Sequence, residues 1–248
     1  KLLASSGGWN ALFLWLGATA MFPVMVDGET CIEENGLLRN LTNSWFFHRY
    51  DPNGDPNVIL DIVEEYGDIE DWCFGSLTDM SRAFDVENPF LFNETLRNWD
   101  VSNVQNMDSM FANCQLFENL DLSQWNTSSV RSMNFMFNNA ASFVGTTTGI
   151  QFWDVSNVES MVGMFVQATS MLDIFLAGWN TGKVTNMAGM FAGAAAIQGF
   201  NPNVGDVLGL GAWDVSNVQS MDSMFEGASS LIGVIGMNNW VTSNVRSM

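Results

Sequence analysis

The sequence predicts an α/β repeat protein, a solenoid of strand–helix coils behind a non-repetitive N-terminal cap. Three observations carry that expectation. Residues 99–111 read WDVSNVQNMDSMF, and the same frame returns as WDVSNVESMVGMF from Trp153 and WDVSNVQSMDSMF from Trp213. Tryptophans stand at 99, 125, 153, 179, 213 and 240, with spacings of 26, 28, 26, 34 and 27 residues. Behind each of the first five come valine at five, methionine at eight and a Met-Phe pair at eleven and twelve, as in Val104, Met107, Met110 and Phe111. Fixed self-similarity at such a period marks stacked units, none of which can bury its apolar face alone.

Within a unit the letters imply a local geometry. Trp99 and Val101 alternate, so two apolar side chains share one face of a short strand. Val104, Met107, Phe111 and Cys114 follow at helical spacing. Between them Ser102 with Gln105, Ser156 with Glu159 and Ser216 with Gln219 match the Ser-x-x-Glu/Gln capping box. The expectation is a short strand, a capped helix of about ten residues and a return loop. Strands of successive coils would form a parallel sheet spaced by about 4.8 Å. Trp72 opens a degenerate first copy, with Met80 at eight and Phe84 at twelve. The repeats thus occupy residues 72–248 as six to seven units of 26 to 34 residues, the last incomplete, and residues 1–71 form an apolar segment and an acidic cap.

The run WD-V-S-N-V-x-x-M-x-x-MF-x-x-A, with a return loop ending LSQW, resembles the repeat of BspA-like surface proteins, the mycoplasma-lipoprotein type of leucine-rich repeat. The resemblance covers residues 72–248 and recurs in register. It implies a leucine-rich-repeat-like solenoid, exported or displayed, that serves adhesion or scaffolding, and it implies no catalytic residues. The 34-residue fourth spacing departs from the pattern, because GFNPNVGDVLGLGA adds an excursion.

Charge and chemistry narrow the function. With 27 acidic residues against 8 basic, the net charge is −19, which repels a nucleic-acid backbone and favours divalent cations or basic partners. There is no His-x-x-x-His, Cys-x-x-Cys, phosphate-binding glycine loop or Gly-x-Ser-x-Gly elbow, and no carboxylate pair is singled out, so no enzyme is expected. Asp51, Asn53 and Asp55 alternate in DPNGDPN as oxygen ligands suited to calcium, while the Pro, Asn and Gly of the same stretch read as a plain turn. No other cofactor is implied. Asn40, Asn93 and Asn126 are N-x-Ser/Thr glycosylation acceptors if the protein is exported. Cys114 stands where other repeats have alanine. Cys31 and Cys73 pair as a disulfide in an oxidising compartment, or are two small hydrophobes in a reducing one.

The segment WNALFLWLGATAMFPVMV, residues 9–26, has several readings: a signal peptide, a membrane span, a cover for the first coil, or an insertion into a neighbouring subunit. In the last reading Trp9, Leu12, Phe13, Leu14, Trp15 and Leu16 meet the uncovered end of the last repeat, which stops at Met248 before its Met-Phe pair. That contact is heterologous and propagates head to tail. The expected function is an extracellular structural or adhesive repeat protein, self-assembling into a cell-surface filament. The alternative is a monomeric surface module that holds a glycan or protein ligand on its sheet face or its 196–212 loop.

Overall fold

The computed structural model describes residues 24–26, 29–84, 91–92, 94–117, 120–145, 148–172, 174–201, 205–234 and 236–248. A hairpin of β1 (Val24–Val26) and β2 (Glu29–Cys31) leads into α1 (Asn35–Tyr50) and α2 (Pro56–Tyr66). Asp55 caps α2 by accepting from Asn57 N–H, Pro56 opens the helix with a preset φ, and Gly67 ends it at φ 78°. Cys31 and Cys73 are joined by a disulfide with a Cα–Cα distance of 4.7 Å.

The repeats do not form the expected α/β solenoid of strand–helix coils. Among the described residues the α-helices are α1 and α2, both ahead of the repeats, and the strands are two or three residues long in three separate two-stranded pairings. Within the repeats β3 (Leu91–Phe92) pairs with β4 (Leu116–Phe117), and β5 (Phe200–Asn201) with β6 (Gly205–Asp206). Where a parallel sheet was expected, successive repeats touch through single bridges along Asp79, Asn106, Ser132, Ser160, Asn186, Ser220 and Ser247.

The physical reason lies at two backbone positions, ten and fourteen residues after each tryptophan from Trp99 to Trp213. Ser109 and Asn113 are left-handed, with φ of 56° and 64°. So are Phe135 and Asn139, Gly163 and Gln167, Gly189 and Gly193, and Ser223 and Gly227. A left-handed residue every fourth position forbids a right-handed helix. The amides divide their hydrogen bonds instead. Met107, Ser109, Phe111 and Asn113 donate to the carbonyls of Ser132, Asn134, Met136 and Asn138 in the next repeat, at 2.8–3.0 Å. The residues between, Met110, Ala112 and Cys114, donate three residues back to Met107, Ser109 and Phe111. Each repeat is therefore a train of tight turns whose alternate N–H groups point along the stack. The capping boxes do not form, since no helix follows them: Gln105 N–H donates to Thr78 of the previous repeat.

The apolar spacing still decides what is buried. Val104, Met107, Met110 and Phe111 are shielded from water, as are their counterparts in the next three repeats. Phe84, Phe111, Phe137, Phe165, Phe191 and Phe225 form a ladder of near-parallel rings with centroids 5.1–5.7 Å apart. Trp72, Trp99, Trp125 and Trp153 stack at 6.0–6.4 Å, and Trp179 on Trp213 at 6.1 Å. Each indole N–H needs an acceptor in this interior. Trp99, Trp125, Trp153, Trp179, Trp213 and Trp240 donate to Ile69, Leu96, Leu122, Ile150, Leu176 and Leu210, the carbonyl three residues before the preceding tryptophan.

Since alternate amides point toward the next repeat, the first repeat turns carbonyls toward α1. The helix answers with side chains. Asn35 Nδ2 donates to Ser81 O at 3.0 Å, and the buried Thr42 hydroxyl to Ala83 O at 2.5 Å. Trp45 and Phe46, on the same helix face, meet Trp72 and Phe84 edge-on. Helix α1 thereby covers the exposed acceptor edge of the stack.

Candidate functional site

The stack presents one polar face, built from the first seven residues of each unit. One residue after the tryptophan the column runs Asp100, Asn126, Asp154, Asn180, Asp214, all exposed. Each side chain accepts from an N–H two residues on. Asp100, Asp154 and Asp214 take those of Ser102, Ser156 and Ser216 at 2.9–3.0 Å, Asn126 that of Ser128 and Asn180 that of Gly182. Hydrogen bonds from these serines, hydroxyl first and then N–H, hold all three aspartates below the usual carboxylate range. The next column is buried and alternates Val101, Thr127, Val155, Thr181, Val215. The threonine hydroxyls reach the carbonyls of Asp154 and Asp214. Four residues after the tryptophan, Asn103, Asn157, Asn217 and Asn244 each donate to a carbonyl of the preceding repeat. Lys183 in the same column donates to Asn157 Oδ1, and Arg131 pairs with Glu159 at 3.2 Å.

A second row binds side chain to side chain. Asp108 Oδ1 accepts from the Ser132 hydroxyl at 2.6 Å and from Asn134 N–H at 2.7 Å, and Asn134 Oδ1 accepts from the Ser160 hydroxyl and Val162 N–H. Groups so engaged hold the stack in register.

The sequence-derived sites fall in different places. Asp51, Asn53 and Asp55 lie in the turn between α1 and α2. Asp51 Oδ1 accepts from Asn53, Asp55 Oδ1 accepts from Asn57, and Asp55 N–H donates to His48 Nδ1. The backbone and side-chain amide of Asn57 hold the Asp55 carboxyl below its ordinary pKa. Among the described residues no group of three or more His, Cys, Asp or Glu could hold a metal ion, and no helix is long and apolar enough to cross a membrane. Trp9, Leu12, Phe13, Leu14, Trp15 and Leu16 lie outside the described residues, as does Asn93. Asn40 is exposed on α1, but the hydroxyl of its sequon, Thr42, is buried on the first repeat. In the 196–212 excursion β5 and β6 pair as an antiparallel ladder while Leu208 and Leu210 are buried.

Sequence reasoning missed Glu94. Its Oε1 accepts from the Tyr50 hydroxyl at 2.6 Å, Trp45 Nε1 at 3.2 Å and Arg49 Nε at 3.1 Å, and so clasps α1 to the first return loop. Burial, and then the bond to Glu94, push the Tyr50 hydroxyl up to about 12. No sequence signal marks this carboxylate. The threonine column was visible, since valine and threonine alternate strictly two residues after each tryptophan from Trp99 to Trp240.

No curated protein and no solved structure matches the chain. The family model described as "Mycoplasma protein of unknown function, DUF285" matches residues 60–148 and 144–248, which take in the last turns of α2 and every repeat. Over that span the tryptophan, valine, methionine and phenylalanine columns are what the stack buries, and by this match the chain belongs to that family.

Proposed function

We propose that the protein is an extracellular structural or adhesive repeat protein, displayed on a cell surface in the manner of BspA-like proteins. The observation that carries this reading is the polar face on which Asp or Asn, Ser or Gly, and Asn, Ser or Lys return at fixed places in the five repeats from Trp99 to Trp213. A face of that kind suits many weak simultaneous contacts. The Cys31–Cys73 disulfide fits an oxidising, exported location. In this reading residues 9–26 supply the anchor or the self-association that builds a filament. A second reading, a monomeric module for a glycan or protein ligand, is favoured by α1: Asn35 and Thr42 occupy the acceptor edge that a second copy would need for direct repeat-on-repeat stacking.

Sedimentation and negative-stain microscopy of the intact chain and of a chain lacking residues 9–26 separate the two. Fibres or large oligomers from the intact chain alone support assembly. Monodisperse monomer from both, with binding to an immobilised glycan panel, supports the module. Monomer from both with no binding to cells, matrix or glycans overturns the surface reading.

A further inference from the structure

Counting from Trp99, repeats two and four differ from their neighbours at the two positions that follow the tryptophan. Where the repeats from Trp99, Trp153 and Trp213 read Trp-Asp-Val-Ser, those from Trp125 and Trp179 read Trp-Asn-Thr-Ser and Trp-Asn-Thr-Gly. The asparagine replaces an exposed aspartate and keeps its turn. In the second repeat Asn126 Oδ1 accepts both from Ser128 N–H at 3.2 Å and from the Ser128 hydroxyl at 2.7 Å. Among the described residues Asn126 Nδ2 finds no acceptor, and its residue faces solvent. The asparagine amide is therefore gripped through its oxygen by the hydroxyl two residues on, with its nitrogen presented outward. Thr127 between them points the other way, buried and bonded to Asp154 O at 3.0 Å, so the turn is pinned from beneath.

We propose that the Trp-Asn-Thr-Ser turn is a built N-glycan acceptor, filled at Asn126 and latent at Asn180. The donor is an oligosaccharide carried on a polyprenyl phosphate. A bond forms between Asn126 Nδ2 and the anomeric carbon, the sugar–phosphate bond breaks, the phosphate leaves with the bonding pair, and the amide gives up one proton. The fourth repeat supplies an internal control. Asn180 has the same turn, taking Gly182 N–H at 3.3 Å, but lacks a hydroxyl. The nearest atoms to a Cβ on Gly182 are Asp214 Oδ2 at 3.3 Å, Asn180 Oδ1 at 3.4 Å and Asp214 Cγ at 4.0 Å, so a serine enters beside the Asn180 amide oxygen once the Asp214 carboxylate gives by a few tenths of an ångström. Asn40 lacks the arrangement, because its Thr42 hydroxyl is committed to Ala83 O.

The inference rests on the exported location, and the test is arranged to separate the two. The full chain and its Ser128→Ala and Gly182→Ser variants are secreted from a eukaryotic host, and glycan occupancy and the state of Cys31 and Cys73 are mapped by peptide mass spectrometry. The expected result is a glycan at Asn126 in the parent, its loss in Ser128→Ala, and a second glycan at Asn180 in Gly182→Ser. A formed disulfide with Asn126 bare, whether or not Asn40 or Asn93 is occupied, overturns the acceptor while leaving export intact. Asn180 bare in Gly182→Ser overturns the turn as the determinant. Cys31 and Cys73 recovered as thiols with every sequon bare overturns the exported reading itself.

Discussion

Replacing Ser109 by glycine distinguishes the train of turns from a helix by the sign of its effect. Ser109 sits at φ 56°, where an L-residue with a Cβ is disfavoured by about 1–2 kcal/mol. Its N–H bonds to Asn134 O and its carbonyl accepts from Ala112, and glycine keeps both. Against the relief stands the extra freedom glycine recovers on unfolding, about 0.5–1 kcal/mol. The net expectation is a gain of about 0.5–1 kcal/mol, or about 1–4 °C in Tm for a chain of this size. A helix interior would lose about 0.3–0.5 kcal/mol from the same change. The mirror substitution is Gly189→Ala, at φ 62° with nothing within 4 Å of the new Cβ, so its cost is backbone alone and of similar size. Guanidinium denaturation followed by tryptophan fluorescence measures both, with an unchanged m value confirming that the same surface is exposed. A lower midpoint for Ser109→Gly, or a higher one for Gly189→Ala, refutes the turn assignment.

Phe165, stacked between Phe137 and Phe191 and fully buried, should cost about 4–5 kcal/mol as alanine, and the half-buried Phe225, stacked on Phe191, roughly half that. Equal losses in denaturation would mean that the ladder does not act as a column. Thr42→Val keeps the volume of the side chain but removes the donor to Ala83 O, at a cost of about 1–3 kcal/mol with faster hydrogen exchange in α1. Exchange unchanged in α1 would show that the hydroxyl does not seal the edge. Asp154 titrates below its unfolded value, so its stabilising share is present above pH 4 or so and is lost as the pH falls through the lowered folded pKa. The group is mostly exposed, which limits that share to a few tenths of a kcal/mol. Asp154→Asn should flatten the acid limb of the stability curve by about that much.

The repeat and its buried columns were legible because packing writes itself into side-chain identity. Trp, Val, Met and Phe recur at fixed distances because each must lie on its predecessor. Backbone handedness is written more faintly. Val104, Met107, Phe111 and Cys114 are spaced as on a helix, yet the same spacing serves a turn train of similar pitch, so apolar periodicity could not separate the two. The deciding letters were Gly163, Gly189, Gly193 and Gly227, which fall in register with Ser109, Asn113, Phe135, Asn139 and Gln167. Glycine recurring at one phase of a supposed helix argues against the helix, and the signal was diluted because Ser, Asn, Gln and even Phe fill the same slots. The Phe135 ring lies over Gly163, where a Cβ would fall 2.5 Å from the ring edge, so the left-handed slot of the following repeat has to be glycine. Glu94 was illegible for another reason: its three donors come from a helix some 44 to 49 residues away in the chain, and nothing local marks it.

The unit that repeats is a pair. Identical frames return after 54 and 60 residues, not after 26 or 28. Electrostatics gives one reason. Rings in the tryptophan column are 6.0–6.4 Å apart, so aspartates on consecutive repeats would face each other at about that distance, a repulsion of about 0.7 kcal/mol per pair even in water. Alternating Asp100, Asn126, Asp154, Asn180 and Asp214 doubles the separation to about 12 Å, beyond the Debye length of about 8 Å at physiological salt. Hydrogen bonding gives the second reason. The carbonyls of Asp154 and Asp214 each receive a threonine hydroxyl from the repeat before them, so an Asp-Val repeat is completed by an Asn-Thr neighbour. Charge spacing and carbonyl satisfaction thus select the same two-repeat alternation, and an array that kept Asp-Val in every unit would forgo both.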